Sequence, residues 1–151
     1  IQAKNLNIQI YERSEFLGII SRKFQDVIAI AGTHGKTTTT AMLAWIFQSA
    51  GLSPTIHLGG NSVNLKSNTI IGEDKFFIVE ACEYRESFKY LKPQISVITN
   101  IALDHVAILG DTIEKIIVSN LDCMSRKSNN EFISNEIVGN RNLLEFLFFI
   151  T

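Results

Sequence analysis

The chain has 151 residues, with 14 basic and 15 acidic side chains and a formal charge of −1. That length holds one domain with a buried core and leaves little room for a second. The near-balance of charge argues against a general nucleic-acid or anionic-membrane binder, the 46% hydrophobic content argues against disorder, and no apolar run approaches the ~18 residues of a membrane span.

Residues 7–11 (NIQIY) alternate weakly and read as a short strand. Ser14 is a plausible N-cap for a helix over 15–22, with Phe16, Leu17 and Ile20 on one face. Residues 27–31 (VIAIA) are continuously apolar between polar flanks, which suits a strand buried on both faces of a parallel sheet. A glycine-bearing loop follows. Residues 38–50 then place Met42, Leu43, Ile46, Phe47 and Ala50 at helical spacing, with Gly51 where a helix stop belongs. Residues 55–58 (TIHL) are a second strand candidate, broken by Gly59-Gly60-Asn61. Residues 75–81 read as a third strand, 83–91 as a helix stopped before Pro93, and 95–101 as a fourth strand. Asp111 or Thr112 can cap a helix over 113–120, and 125–135 is polar and reads as a loop. Strands alternate with helices, so the expected fold is α/β with a mostly parallel sheet.

The two cysteines, Cys82 and Cys123, cannot build a disulfide scaffold and fit a reducing compartment as small buried groups. No second soft ligand lies near Cys82 in sequence, which argues against zinc. The first residue is Ile1, not Met, and residues 140–151 form an apolar run without a cap or polar tail. The expectation is an internal piece or an incomplete gene product, its terminal run packed on chain outside this sequence.

The chemistry-bearing segment is Gly32-Thr33-His34-Gly35-Lys36-Thr37, set between a strand and a helix. Glycines let successive N–H groups face one anion, and the helix start adds partial positive charge. Lys36 would reach the β- and γ-phosphates of a nucleotide, and the Thr37 hydroxyl would ligate Mg²⁺. The general pattern wants a further glycine where this chain has Ile30, so the match is partial. The bland alternative is a glycine turn before a helix with a solvated lysine.

Ile30 to Thr39 (IAGTHGKTTT) resembles the ATP-binding loop of the Mur ligases, and two further stretches follow in that family's order. Glu80-Ala81-Cys82-Glu83-Tyr84 resembles its acidic motif. Thr99-Asn100-Ile101 with Asp104-His105 resembles its Thr-Asn-Ile…Asp-His motif. The resemblance covers about residues 2–120 and weakens from Leu121 onward. It implies a P-loop domain, incomplete here: residues 1–25 as the tail of a UDP-substrate-binding domain and linker, 26–120 as part of a central ATP-binding domain, and 121–151 as a divergent or irregular segment. The nearest branch joins L-alanine to the carboxylate of UDP-N-acetylmuramate through an acyl phosphate, in cytoplasmic cell-wall precursor synthesis.

By the same resemblance, Gly32, Thr33, His34, Gly35, Lys36, Thr37, Thr38 and Asn100 bind ATP. Thr37, Glu80 and His105 hold Mg²⁺, and Lys36, Glu80 and His105 serve catalysis. Gly59, Gly60 and Glu83 lie toward the acyl substrate. The family often has Ser-Asp where this chain has Tyr84-Arg85, which limits the carry-over beyond Glu83. Read without the family, Glu80 is a strand-end carboxylate, His105 a loop histidine, Asn100 a strand terminator, His57 a half-exposed strand residue and Gly59-Gly60 a plain turn. Two other readings stay open: the family's murein tripeptide recycling branch, and a non-catalytic nucleotide-binding remnant. The polypeptide by itself is expected to be inactive as a ligase, because the flanking domains of the family are not in it.

Overall fold

The computed structural model describes residues 2–62, 67–82, 88–102, 112, 115 and 147–150. Its elements in chain order are α1 (Gln2–Asn5), α2 (Arg13–Ser21), β1 (Asp26–Ala31), α3 (Lys36–Ser49), β2 (Pro54–Ser62), β3 (Ser67–Ile70), β4 (Glu73–Glu80), β5 (Ile95–Ile98) and β6 (Leu147–Ile150). They make a six-stranded sheet in the order β3-β2-β4-β1-β5-β6. The inner strands β2, β4, β1 and β5 run parallel, and β3 and β6 pair antiparallel at the two edges. This is the expected α/β fold with a mostly parallel sheet.

β1 is central because it is apolar at every position after Asp26, and a strand covered on both faces needs that. Alternate residues feed two cores. Val27, Ala29 and Ala31 join Phe77, Val79 and Ala81 on one face, with Leu17 and Phe24 packed against them. Ile28 and Ile30 join Ile56, Leu58, Ile78 and Val97 on the other, under Ala44, Leu43 and Phe47 of α3. Ile30, Ile56 and Ile78 are fully buried, each worth about 1.5–3 kcal/mol of transfer free energy. α3 ends as its composition predicts: Gly51 has φ 73° and donates its N–H to Gln48 O at 3.0 Å.

Several local expectations are corrected. Residues 7–11 form no strand: none of them pairs with a strand among the described residues, and Ile8 and Ile10 stay exposed. Helix α2 starts at Arg13, and Glu12 stands at its N-cap position without a side-chain hydrogen bond, so Ser14 is not the cap. β2 does not stop at Leu58. It continues through Gly59 and Gly60 to Ser62, paired with β3, with a shift in register between His57 and Ser62. β5 ends at Ile98, where the sequence suggested 101, because Thr99 and Asn100 turn to other partners. Residues 88–90 form a 3₁₀ turn that Leu91 does not continue, so the helix expected over 83–91 is not formed at its end; residues 83–87 lie outside the described residues. Thr112 Oγ1 accepts the Lys115 N–H at 3.3 Å, as an N-cap does, while the remainder of that helix and the 125–135 loop also lie outside them. Within the C-terminal run, residues 147–150 pair with β5 of this same chain. Among the described residues no helix is long and apolar enough to cross a membrane.

Candidate functional site

The parallel register sets the site. Ile30 of β1 lies beside Glu80 of β4, and the Ala81 N–H donates to Ile30 O at 2.8 Å. The chain then leaves β1 as residues 32–35 and enters α3 at Lys36. The last residue of β4 and the first turn of α3 therefore meet at the carboxyl edge of the sheet, where open α/β sheets bind ligands.

Gly32 and Gly35 both take left-handed backbone, with φ 121° and 80°. Gly32 is also pressed against the segment that follows β5: a Cβ there would lie 2.9 Å from Thr99 N and 2.8 Å from Asn100 O. Gly35 occupies the N-cap of α3 and makes no side-chain cap hydrogen bond, and the start of a helix is a favourable place for an anion. The Lys36 Nζ donates to the carbonyls of Gly32 and Thr33, folded over the loop. The Thr37 Oγ1 donates to Glu80 Oε2 at 2.8 Å, and the Gly59 N–H donates to the same oxygen at 2.9 Å. One carboxylate thus ties together β4, the start of α3 and β2.

The strand end after β5 grips the loop. Thr33 N–H donates to Asn100 O at 2.9 Å, and Thr33 Oγ1 accepts the Ala102 N–H at 2.9 Å. The Asn100 amide holds the backbone of His34 at both ends: Oδ1 accepts His34 N–H at 3.0 Å, and Nδ2 donates to His34 O at 2.9 Å. Thr99 Oγ1 donates to the same carbonyl. Asn100, expected by resemblance to bind ATP, lies at the loop, and its amide is hydrogen-bonded to the loop's own backbone.

A second polar group lies on β2. Arg13 Nη2 donates to His57 Nε2 at 2.9 Å, which leaves the ring proton on Nδ1 to donate to Thr69 Oγ1 at 2.9 Å. Burial pushes the His57 pKa below its usual 6.5, the Arg13 charge pushes it further, and the Glu80 charge opposes both.

The structure thus brings together Gly32, Thr33, His34, Gly35, Lys36, Thr37, Glu80, Asn100 and Gly59. Thr38 stands exposed in the first turn of α3, and Gly60 has open space around it. Glu83 and His105 lie outside the described residues. Cys82 is a half-buried free thiol. Thr99 reads in the sequence only as part of the Thr99-Asn100-Ile101 motif, with no role of its own. Nor does the sequence show the reason for Gly59: a Cβ there would lie 2.9 Å from Glu80 Oε1.

Residues 30–141 match the model of the Mur ligase middle domain. The chain belongs to the Mur ligase family. The match runs past residue 120, where the motif resemblance weakens. A curated UDP-N-acetylmuramate–L-alanine ligase of Caldicellulosiruptor bescii is 46% identical over 111 residues, which is 74% of this chain and 24% of that protein. The enzyme of the same name from Clostridium kluyveri is 50% identical over 116 residues, 77% of this chain and 25% of that protein. The chain therefore spans about a quarter of the length of the curated relatives it matches. Among solved structures, the UDP-N-acetylmuramate–alanine ligase of Thermotoga maritima superposes with a TM-score of 0.66 at 29% identity, covering 78% of this chain and 28% of that one. The mixed sheet and its flanking helices are those of Mur ligases.

The donor set at the loop suits magnesium. Thr37 and Glu80 offer a hydroxyl and a carboxylate, both hard oxygens, 2.8 Å apart. Mg²⁺ is bound through one or two such protein oxygens, with water and phosphate oxygens completing its shell. Among the described residues no cluster of three His, Cys, Asp or Glu side chains forms a larger cage.

Proposed function

We propose that this chain carries the ATP-binding centre of a UDP-N-acetylmuramate–L-alanine ligase, with residues 26–120 as part of the central domain and 1–25 as the lead-in from the UDP-substrate domain. The observation that carries the proposal is the meeting of Lys36, Thr37 and Glu80 at a left-handed glycine loop on the carboxyl edge of the sheet. The names of the relatives at 46% and 50% identity supply the substrates.

Such a ligase must turn a carboxylate into an electrophile. The γ-phosphoryl group of ATP passes to the carboxylate of UDP-N-acetylmuramate; the amine of L-alanine then attacks the acyl phosphate and phosphate leaves. The partners are anionic, so positive groups must follow the moving charge. Lys36 would exchange the loop carbonyls of Gly32 and Thr33 for the β- and γ-phosphates. The N–H groups at the start of α3 would face the same phosphates. Thr37 and Glu80 would hold Mg²⁺, with His105 completing the protein ligands, and the ion when bound neutralises phosphate charge. Thr33, His34, Thr38 and Asn100 would shape or border the nucleotide site, and Gly59, Gly60 and Glu83 the acyl-substrate side. On this reading the protein acts in the cytoplasm, where these precursors are made, and needs the rest of a full-length ligase for turnover.

Titration of the purified chain with Mg·ATP tests the proposal. Saturable binding is expected, weakened roughly 10- to 100-fold in Lys36→Ala, the scale of losing a charge-assisted phosphate contact. Equal binding by both proteins, or none by a folded wild type, overturns it.

A further inference from the structure

An anion cradle needs N–H groups toward the ligand and its carbonyls elsewhere, because a carbonyl oxygen beside a phosphate repels it. In this loop Lys36 Nζ donates to the carbonyls of Gly32 and Thr33, bonds that the proposed phosphate contact would replace. The carbonyl of His34 is the third, and it is taken by two donors from outside the loop, Thr99 Oγ1 and Asn100 Nδ2. Asn100 Oδ1 simultaneously accepts the His34 N–H, so one carboxamide holds both polar groups of one residue. Only one orientation of the amide satisfies both bonds, since its oxygen cannot donate and its nitrogen cannot accept. The His34 ring takes part in none of these bonds.

We infer that Asn100, assisted by Thr99, is a positioning residue: it fixes the course of the loop by clamping both backbone polar groups of His34. The consequence for nucleotide binding rests on the proposed function, whereas the clamp itself is a property of the nucleotide-free chain. The geometry behind it is independent of any ligand. β5 stops at Ile98, the Thr99 N–H still reaches Ala31 O at 3.0 Å, and Asn100 is thereby delivered to the loop from the neighbouring strand end.

The test is hydrogen exchange of the His34 amide by NMR in the nucleotide-free, ¹⁵N-labelled chain. In Asn100→Ala the His34 N–H is expected to exchange at least about tenfold faster than in wild type, while the Ile28 and Ile30 amides of β1 keep their protection. Unchanged exchange at His34 overturns the inference. Asn100→Asp is the second variant and serves if Asn100→Ala does not fold. A protonated carboxyl has one acceptor and one O–H donor, like the carboxamide; the ionised form has acceptors only. The His34 amide resonance of Asn100→Asp, compared with wild type at each pH, should therefore approach the wild-type position as pH falls from 8 to 4. A difference from wild type that does not change with pH overturns the clamp. If the wild type binds Mg·ATP, the affinity of Asn100→Asp relative to wild type should recover in parallel. If it binds none, the proposed function fails and the His34 amide still decides the clamp.

Discussion

Gly59 gives its backbone N–H to Glu80 Oε2, and a Cβ at residue 59 would lie 2.9 Å from the other carboxylate oxygen. The two facts are coupled. Only a residue without a side chain lets β2 pass close enough to hold the carboxylate against Thr37. The obstacle in Gly59→Ala is the far end of a flexible side chain, and the backbone at residue 59 is not left-handed. The fold should tolerate the change, with a melting shift of a few degrees, corresponding to ~1 kcal/mol or less. Glu80 should nevertheless be displaced, and Mg²⁺-dependent nucleotide binding should fall more than metal-free binding. Calorimetry with and without Mg²⁺ checks this; equal losses would mean that Gly59 does not act through Glu80.

Gly32→Ala should behave in the opposite way. The atoms in the path of that Cβ include Thr99 N and Asn100 O, which are backbone, and φ is 121°. Neither the clash nor the left-handed strain can be relieved by a rotamer change. A loss of roughly 2–4 kcal/mol in stability is expected, from steric overlap added to backbone strain. Chemical denaturation measures it. A loss under about 0.5 kcal/mol, the scale of an ordinary surface substitution, would show that Gly32 is not packed this closely against Thr99 and Asn100.

Glu80→Ala and Thr37→Ala probe the same carboxylate from its two sides. Removing Glu80 leaves the Thr37 hydroxyl and the Gly59 N–H without their shared acceptor. Removing the Thr37 hydroxyl leaves the Gly59 bond in place. Glu80→Ala should therefore cost more in Mg²⁺-dependent ATP affinity than Thr37→Ala, and the double variant should lose less than the sum of the two. Strict additivity in a double-mutant cycle would separate Thr37 and Glu80 functionally despite their 2.8 Å contact.

The segment from β1 through the loop to α3 was readable because three local signals agree there: a doubly buried apolar run, glycines, and helical spacing that ends at Gly51. Glu80 was readable as a strand end. Its meeting with Thr37 follows from the parallel pairing of Ile30 with Glu80, which local periodicity does not reveal. β3 escaped notice because Ser67–Ile70 is polar and its middle residues face solvent, as an edge strand allows. β6 escaped because its partner β5 lies about fifty residues away, so its terminal apolar run had no visible destination. Asn100 looked like a residue for ligands because it is polar at a strand end. Its partner in the structure is the peptide backbone of His34, 66 residues earlier, and backbone atoms leave no sequence signature.

The Arg13–His57–Thr69 chain makes a prediction about pH. Its hydrogen-bond pattern needs a neutral imidazole, because Nε2 must accept from the Arg13 guanidinium. His57 therefore has a folded-state pKa below the unfolded value of 6.5. Below pH 6.5 the unfolded chain binds a proton that the folded chain refuses, so this group makes stability fall as pH drops and level off once the folded pKa is passed. Above 6.5 it contributes no slope. In Arg13→Ala one of the two lowering causes is gone, burial remains, and the His57 pKa should rise while staying below 6.5 if burial is the larger cause. Following the His57 Cε1–H resonance against pH in both proteins measures this directly. An identical titration in Arg13→Ala would show that the guanidinium does not rest on the ring in solution. A wild-type midpoint at or above 6.5 would show that His57 is charged as readily in the fold as outside it.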